Sequence, residues 1–385
     1  MKADPLNPVY LDFNRTTPLA PSVLEAMTPF WSRHFWLPGQ SHPAARAVAD
    51  ALQTSRESVA EMLNCDSGEV VFTSGATESN NLAILGRAAA ISADQRGTDC
   101  AGNHLVVSPL EPDSVFHSAV HLRDQHHWDV TVLDVDDDGV VKPDTVASAI
   151  TEQTRLVCVS AASGIFGTRQ LIREIADRCH QHGVPLHCDA SHIPGHILMD
   201  LRGTRADTIS ISGHRMYGPK GTGALMVRSG YSLTPIVYGS CSEMTLRAGS
   251  ENVTGWVGLG TAATLCSRIE EDVTARLASM RDMFVQVLRE ELGAAAKVHC
   301  ESSDRLPNTV CISLPTDAAA ALQKHPEIVV GRGHDSDTCC VFHRSLQAIG
   351  CDTKEESRSM CISLGWTTSE EQVCYAAERL AMSCV

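Results

Sequence analysis

Seven short apolar segments, at 69–73, 104–107, 130–133, 156–160, 185–189, 208–212 and 223–227, alternate with stretches such as 170–182 whose apolar residues recur at helical spacing. A strand whose covering helix leads into a further strand of the same direction builds a parallel sheet, because the crossover brings the chain back to the edge where it began. The predicted fold class is therefore α/β, with a mainly parallel seven-stranded sheet. After residue 255 the pattern changes to a long helix over 256–292, followed by short strand-like pieces at 310–314 and 361–364. This implies a large domain over 16–255 and a small α+β domain over 256–385 that also takes in 1–15. A chain of 385 residues has the length for both.

Several function classes are disfavoured on composition. A net charge of −15 repels polyanions and forfeits counterion release, so nucleic acid is not an expected partner. No run of about 18 apolar residues is present to span a bilayer, so no membrane association is expected. The first residues, Met1-Lys2-Ala3-Asp4-Pro5, lack the apolar core of an export signal, and the expected location is the cytoplasm. The 15 cysteines are odd in number, scattered and without Cys-x-x-Cys pairs, which argues against a disulfide framework or a zinc ribbon. Asp134-Val135-Asp136-Asp137-Asp138-Gly139 opens like a calcium loop, but position twelve is Thr145 rather than glutamate, so a solvated turn between two strands is expected.

Longer motifs carry a family resemblance. Tyr10-Leu11-Asp12-x-Asn14-x-Thr16-Thr17-Pro18, Phe72-Thr73-Ser74-Gly75-Ala76-Thr77-Glu78-Ser79-Asn80-Asn81, His187-Cys188-Asp189-Ala190 and Ser212-Gly213-His214-Arg215-Met216-Tyr217-Gly218-Pro219-Lys220-Gly221 occur in this order. Arg247-x-Gly249-Ser250-Glu251-Asn252, Arg305-Leu306-Pro307-Asn308-Thr309 and Ser363-Leu364-Gly365 follow. A strand that ends in Gly-Ala-Thr before a helix exposes backbone N–H groups suited to a phosphate. Together these runs resemble the cysteine desulfurases and selenocysteine lyases of the class V aminotransferase group, over nearly the whole chain. The resemblance implies a pyridoxal-phosphate fold of type I and a homodimer. It also implies a phosphate cup of Gly75, Ala76, Thr77, Ser212, His214 and, from the partner subunit, Ser250. Asp189 matches the aspartate that pairs with the cofactor's ring nitrogen.

The reactive positions depart from that family. Its members form a Schiff base through the lysine after Ser-Gly-His, where this chain has Arg215, and a protonated guanidinium is a poor nucleophile. The ring-stacking histidine corresponds to Pro112, the asparagine beside the cofactor hydroxyl to Gly164, and the glutamine three residues after the aspartate to His192. The nucleophilic cysteine aligns with His334, with Cys339 and Cys340 just beyond, and the carboxylate-binding arginine with Cys361.

The expected reaction is therefore not lysine-dependent desulfuration. One reading is altered chemistry on a small anionic or amino-acid-like ligand, with pyridoxal phosphate or pyridoxamine phosphate held non-covalently and His192 or His214 moving a proton. The reactive set on this reading is His192, His214, Arg215, His334 and Cys361. Arg15, Arg169, Arg215 and Arg332 all stand where the family pattern has no arginine, which suits a more anionic ligand. A second reading is an inactive scaffold that dimerises with itself or an active relative. A third is a metal enzyme built on His192, His214, His334, Asp189 and Cys361.

Overall fold

A computed structural model describes residues 8–94, 102–198, 200, 202–240, 242–332 and 340–384. In chain order the elements are β1 (Val9–Leu11), α1 (Pro21–Met27), α2 (Pro29–Ser32), α3 (Pro43–Leu63), β2 (Val70–Thr73), α4 (Ala76–Asp94), β3 (His104–Val107), α5 (Asp113–His126), β4 (Asp129–Val132), α6 (Pro143–Ala149), β5 (Thr154–Cys158), α7 (Ile172–Gln181), β6 (Leu186–Asp189), β7 (Thr208–Ser212) and β8 (Gly223–Val227). There follow α8 (Val253–Cys266), α9 (Glu271–Leu292), β9 (Lys297–Val298), β10 (Thr309–Ser313), α10 (Ala318–Lys324), β11 (Ile328–Val330), α11 (Val341–Ala348), α12 (Thr353–Arg358), β12 (Ser359–Ser363) and α13 (Glu370–Met382).

All seven strands expected from the apolar segments join one sheet, in the order β2-β8-β7-β6-β5-β3-β4. It is mainly parallel; β8 alone runs against its neighbours β2 and β7. The central strands are buried on both faces, so the polar residues that alternate with apolar ones in Leu186–Asp189 and Thr208–Ser212 are buried as well. Helices cover them with one apolar stripe each. In α7 that stripe is Ile172, Ile175, Ala176 and Cys179, spaced by three, one and three residues.

The helix expected over 256–292 is two helices, broken across 267–270. The two segments have different jobs. Nearly every side of α8 is buried, its Trp256 stacked on Phe72 of β2 with ring centroids 5.0 Å apart, and it belongs to the core beneath the large sheet. By contrast α9 is amphipathic and packs Leu277, Met280, Phe284 and Leu288 into a second core with the antiparallel sheet β12-β10-β9 and α13. β1 pairs with β11, so Val9–Leu11 is built into that second core. The aspartate-rich run is a turn, as its composition implies, with Asp136 Oδ1 accepting from the backbone N–H groups of Asp138 and Val140 at 3.1 and 2.9 Å. It leads from β4 into α6 rather than into another strand, because Pro143 opens a helix there.

One edge of the large sheet is closed by a buried ion pair. Glu243, 3 % exposed at its side chain, accepts both guanidinium nitrogens of Arg56 at 2.7 and 2.8 Å. It also accepts the backbone N–H of Phe72 on edge strand β2 at 2.7 Å, while Arg56 donates to Val70 O at 2.6 Å and lies over the Phe72 ring. The pair thus satisfies edge groups that could otherwise recruit a foreign strand. Glu243→Ala leaves a buried guanidinium unpaired, and the expected loss is about 3 kcal/mol in denaturant unfolding. The variant is also expected to aggregate earlier during the titration, which light scattering reads.

Candidate functional site

Ligands of open α/β sheets settle at the carboxyl ends of parallel strands, where the chain turns away and leaves side chains unpacked. Here β5, β6 and β7 end at Cys158, Asp189 and Ser212. Beyond them lies a cavity of about 500 Å³, walled by the loop after β1, the loop after β5 and the start of α11. Its charged lining is Asp12, Arg15, Asp113, Arg215 and Arg332, and its nucleophilic or basic side chains are His192, His214, Cys340 and Cys361. No lysine lines it.

Arg215 organises this cavity. Its Nη1 donates to His192 Nε2 at 2.9 Å. Since a guanidinium can only donate, Nε2 holds the ring's lone pair and Nδ1 holds the proton. Burial and the Arg215 charge push His192 well below the ordinary histidine range, so the ring is neutral. Within this pair His192 Nδ1 and Arg215 Nε are buried without a partner, and both are donors. The His192 ring also fills the space over Gly164: a Cβ there would lie 2.3 Å from Nε2. Gly164 O accepts from Asn14 Nδ2 at 2.9 Å and from Cys361 Sγ at 3.5 Å, which holds the loop after β5 against β12. The sequence departures at 164, 192, 215 and 361 are thus one set of contacts.

The other titratable groups follow from burial. His214 is lowered to about 4 by desolvation and by the Arg215 and Lys220 charges. Its Nδ1 lies 3.2 Å from Thr16 Oγ1, whose hydroxyl is directed at His214 O, so Nδ1 is the donor and Nε2 the ring's lone pair. Asp12 is raised to about 6 by desolvation, against the pull of Arg15 and Arg215. Cys361 is pushed far up by burial and stays a thiol.

Asp189 is 3 % exposed and held from two sides, Oδ2 accepting from Asn80 Nδ2 at 2.7 Å and Oδ1 from Ser191 N at 2.8 Å. Asn80 also donates to Ser114 Oγ at 2.8 Å, so its Oδ1 must accept from His187 Nε2, 3.0 Å away. His187 Nδ1 then accepts from Thr208 Oγ1 at 2.9 Å, and burial keeps the imidazole neutral. Nearby, Glu111 accepts from Ser160 N and Oγ at 2.7 and 2.6 Å and is raised to about 7 by desolvation.

Of the reactive positions read from the sequence, His192, His214, Arg215 and Cys361 share the cavity; His334 lies outside the described residues, as does Cys339. Among the cup positions, Ser212 is buried at the end of β7, and Gly75, Ala76 and Thr77 form the turn into α4, Gly75 with φ +148°. Ser250 is exposed just before α8, and neither it nor Gly75, Ala76, Thr77, Asp189 or Ser212 lines the cavity. Three of the four unusual arginines do line it; the fourth, Arg169, instead pairs with Asp304 at 2.9 Å on the surface. Among the described residues, no three of His192, His214, Asp189 and Cys361 bring ligand atoms together as a metal needs. Arg344, which no sequence motif pointed to, donates to Pro109 O and Glu111 O at 2.9 and 2.5 Å and lies over Phe116. It thereby docks α11, with Cys340 at its head, onto the segment carrying Pro112.

The aminotransferase class-V family pattern matches residues 9–375. A cysteine desulfurase IscS from Dictyoglomus turgidum is 32% identical over 377 residues, covering 97% of this chain and 93% of that protein. A solved NifS-like protein superposes with a TM-score of 0.87 at 26% identity, over 97% of this chain and 98% of its own. The structure of SspA in complex with cysteine gives a TM-score of 0.80 at 29% identity, over 92% and 98%.

The contact between Gly164 and His192 sets a measurable coupling. Gly164→Ala alone is expected to cost about 1–3 kcal/mol by overpacking. Combined with His192→Ala, which clears the space, the same change is expected to be near neutral. A double-mutant cycle in denaturant should therefore give an interaction energy of about 1 kcal/mol or more, and additivity of the two changes would contradict the contact.

Proposed function

We propose, from the premise that this chain belongs to the aminotransferase class-V family and is cysteine desulfurase-like, that it has given up lysine-based sulfur release and binds a small anionic or amino-acid-like ligand in its arginine-lined cavity. The observation that carries this reading is the Arg215–His192 hydrogen bond at 2.9 Å over Gly164. It fills the lysine position with a group that cannot anchor an aldehyde covalently. Arg15 and Arg332 add positive charge to the same cavity.

The family depends on pyridoxal phosphate. On this reading the cofactor is retained non-covalently, as the aldehyde or as pyridoxamine phosphate, by residues of which His214 also lines the arginine-rich cavity. Asp189 offers a buried carboxylate, fixed by Asn80 and Ser191, for a ring nitrogen, and the turn from Gly75 to Thr77, with Ser212 and His214, offers donors for a phosphate. When bound there, the cofactor would supply an electron sink. Proton transfer falls to His214, because Arg215 occupies the basic nitrogen of His192. The reading includes a homodimer, with exposed Ser250 lent across the interface, and a cytoplasmic location. Among the described residues no helix is long and apolar enough to cross a membrane.

The test is incubation of the purified protein with cysteine and pyridoxal phosphate. No sulfide and no borohydride-fixed lysine adduct are expected, whereas dialysable cofactor is; steady sulfide release would refute the reading. The cavity also has a pH signature. Asp12, raised to about 6, loses its negative charge as pH falls through that value. Binding of sulfate, whose charge is constant in this range, should therefore tighten between pH 7.5 and 5, and Asp12→Asn should remove the part of the slope centred near pH 6. The same shift makes Asp12 favour the folded state most below its ordinary pKa of 3.8, a contribution lost as pH rises through about 6.

A further inference from the structure

Away from the cavity, where β9 continues into the next loop and the chain enters α12, three side chains of different chemistry converge. His299, Cys351 and Glu355 each bring one ligand atom within 4.8 Å of the other two. Among the described residues no other group of this kind occurs. His299 and Cys351 are 2 % and 8 % exposed. The Cys351 sulfur lies 3.8 Å from His299 Nδ1. A tetrahedral zinc-class ion with metal–sulfur and metal–nitrogen bonds of about 2.3 and 2.05 Å sets those two atoms about 3.6 Å apart.

The hydrogen bonds behind the imidazole decide which nitrogen faces the thiol. Ser359 Oγ donates its one proton to Glu355 O at 2.7 Å. It must therefore accept from Ser313 Oγ, 2.7 Å away. Ser313 has then spent its proton and accepts from His299 Nε2 at 2.7 Å. The chain of donors runs from His299 Nε2–H through two serines to the backbone of Glu355, so Nδ1 carries the lone pair and points it towards Cys351. A histidine whose rear N–H is fixed in this way is the arrangement that orients an imidazole onto a metal. Lys297 pairs with one oxygen of Glu355, and the second carboxylate oxygen remains to serve as a ligand.

We propose that His299 Nδ1, Cys351 Sγ and a carboxylate oxygen of Glu355 form a binding site for a divalent cation of zinc class, with water completing the tetrahedron. Soft thiolate with imidazole selects zinc or cobalt over magnesium and calcium. Binding displaces the Cys351 thiol proton to solvent and changes no oxidation state. The site is structural: it fastens the turn after β9 that carries His299 to the entrance of α12, and Cys351 belongs to the same apolar cluster as the cavity residues Cys340, Phe342 and Cys361. It does not depend on any reading of the cavity.

The experiment uses the full chain without an affinity tag, treated with chelator and then titrated with cobalt(II). One equivalent per chain is expected, with a thiolate-to-cobalt charge-transfer band, and zinc is expected to displace it and raise the thermal midpoint. Cys351→Ser should abolish the band. Ser313→Ala, which cuts the proton chain without touching a ligand, should weaken affinity by about 10- to 100-fold. Glu355→Gln alters a partly exposed side chain and keeps the fold if the buried variants do not; it should weaken binding at least as much. Absence of the band, or a band and affinity unchanged in Glu355→Gln and Ser313→Ala, would overturn the site. Loss of cofactor binding or of anion binding in the cavity would leave it standing.

Discussion

A guanidinium buried at the carboxyl ends of the strands is the constraint to which the cavity answers. Arg215 cannot shed its proton, and desolvation charges a heavy penalty for a cation kept from water. Three features offset it. Asp12 and Asp189 attract the charge from two directions, and neutral His192 accepts one of its protons at 2.9 Å. Each of these partners is in turn held. Asp189 is clamped by Asn80 and Ser191, and Asn80 is oriented by His187 and Thr208, so a network reaching into β7 supports one end of the cation. His192 requires the empty space over Gly164. Removing any one of these groups strands a buried polar atom, and for that reason the residues around position 215 behave as a unit.

Much of the architecture was legible in the sequence because it depends on periodicity. The segment 223–227 is a continuous apolar run and 208–212 alternates polar with apolar residues, and the structure places strands at those same residues, both fully buried. The break between α8 and α9 was not legible, since both halves have helical spacing; only their surroundings differ, one being buried all round and the other amphipathic. The edge strap of Arg56 and Glu243 was equally hidden, because its partners are 187 residues apart and neither sits in a motif.

The cavity divides along the same line. Motif order singled out His192, Arg215 and Cys361 one at a time, as separate losses, and His214 as a retained motif residue, and three dimensions bring them together. That Gly164 makes room for His192, and that His192 in turn anchors Arg215, is a fact of contact distance with no trace in linear spacing. Arg344 carries no sequence signal because its targets are backbone carbonyls, which every residue has. His299, Cys351 and Glu355 escaped notice for a related reason. Only Cys351 and Glu355 show a spacing, of four residues, while the histidine comes from the turn after β9 some fifty residues earlier.

Coupling between substitutions separates rebuilding from decay. Independent damage would leave steric conflict or voids, since an arginine in a lysine's place is longer and its charge fixed. Here the longer side chain finds an acceptor, the acceptor finds space over a glycine, and the carbonyl of that glycine is satisfied by Asn14 and Cys361.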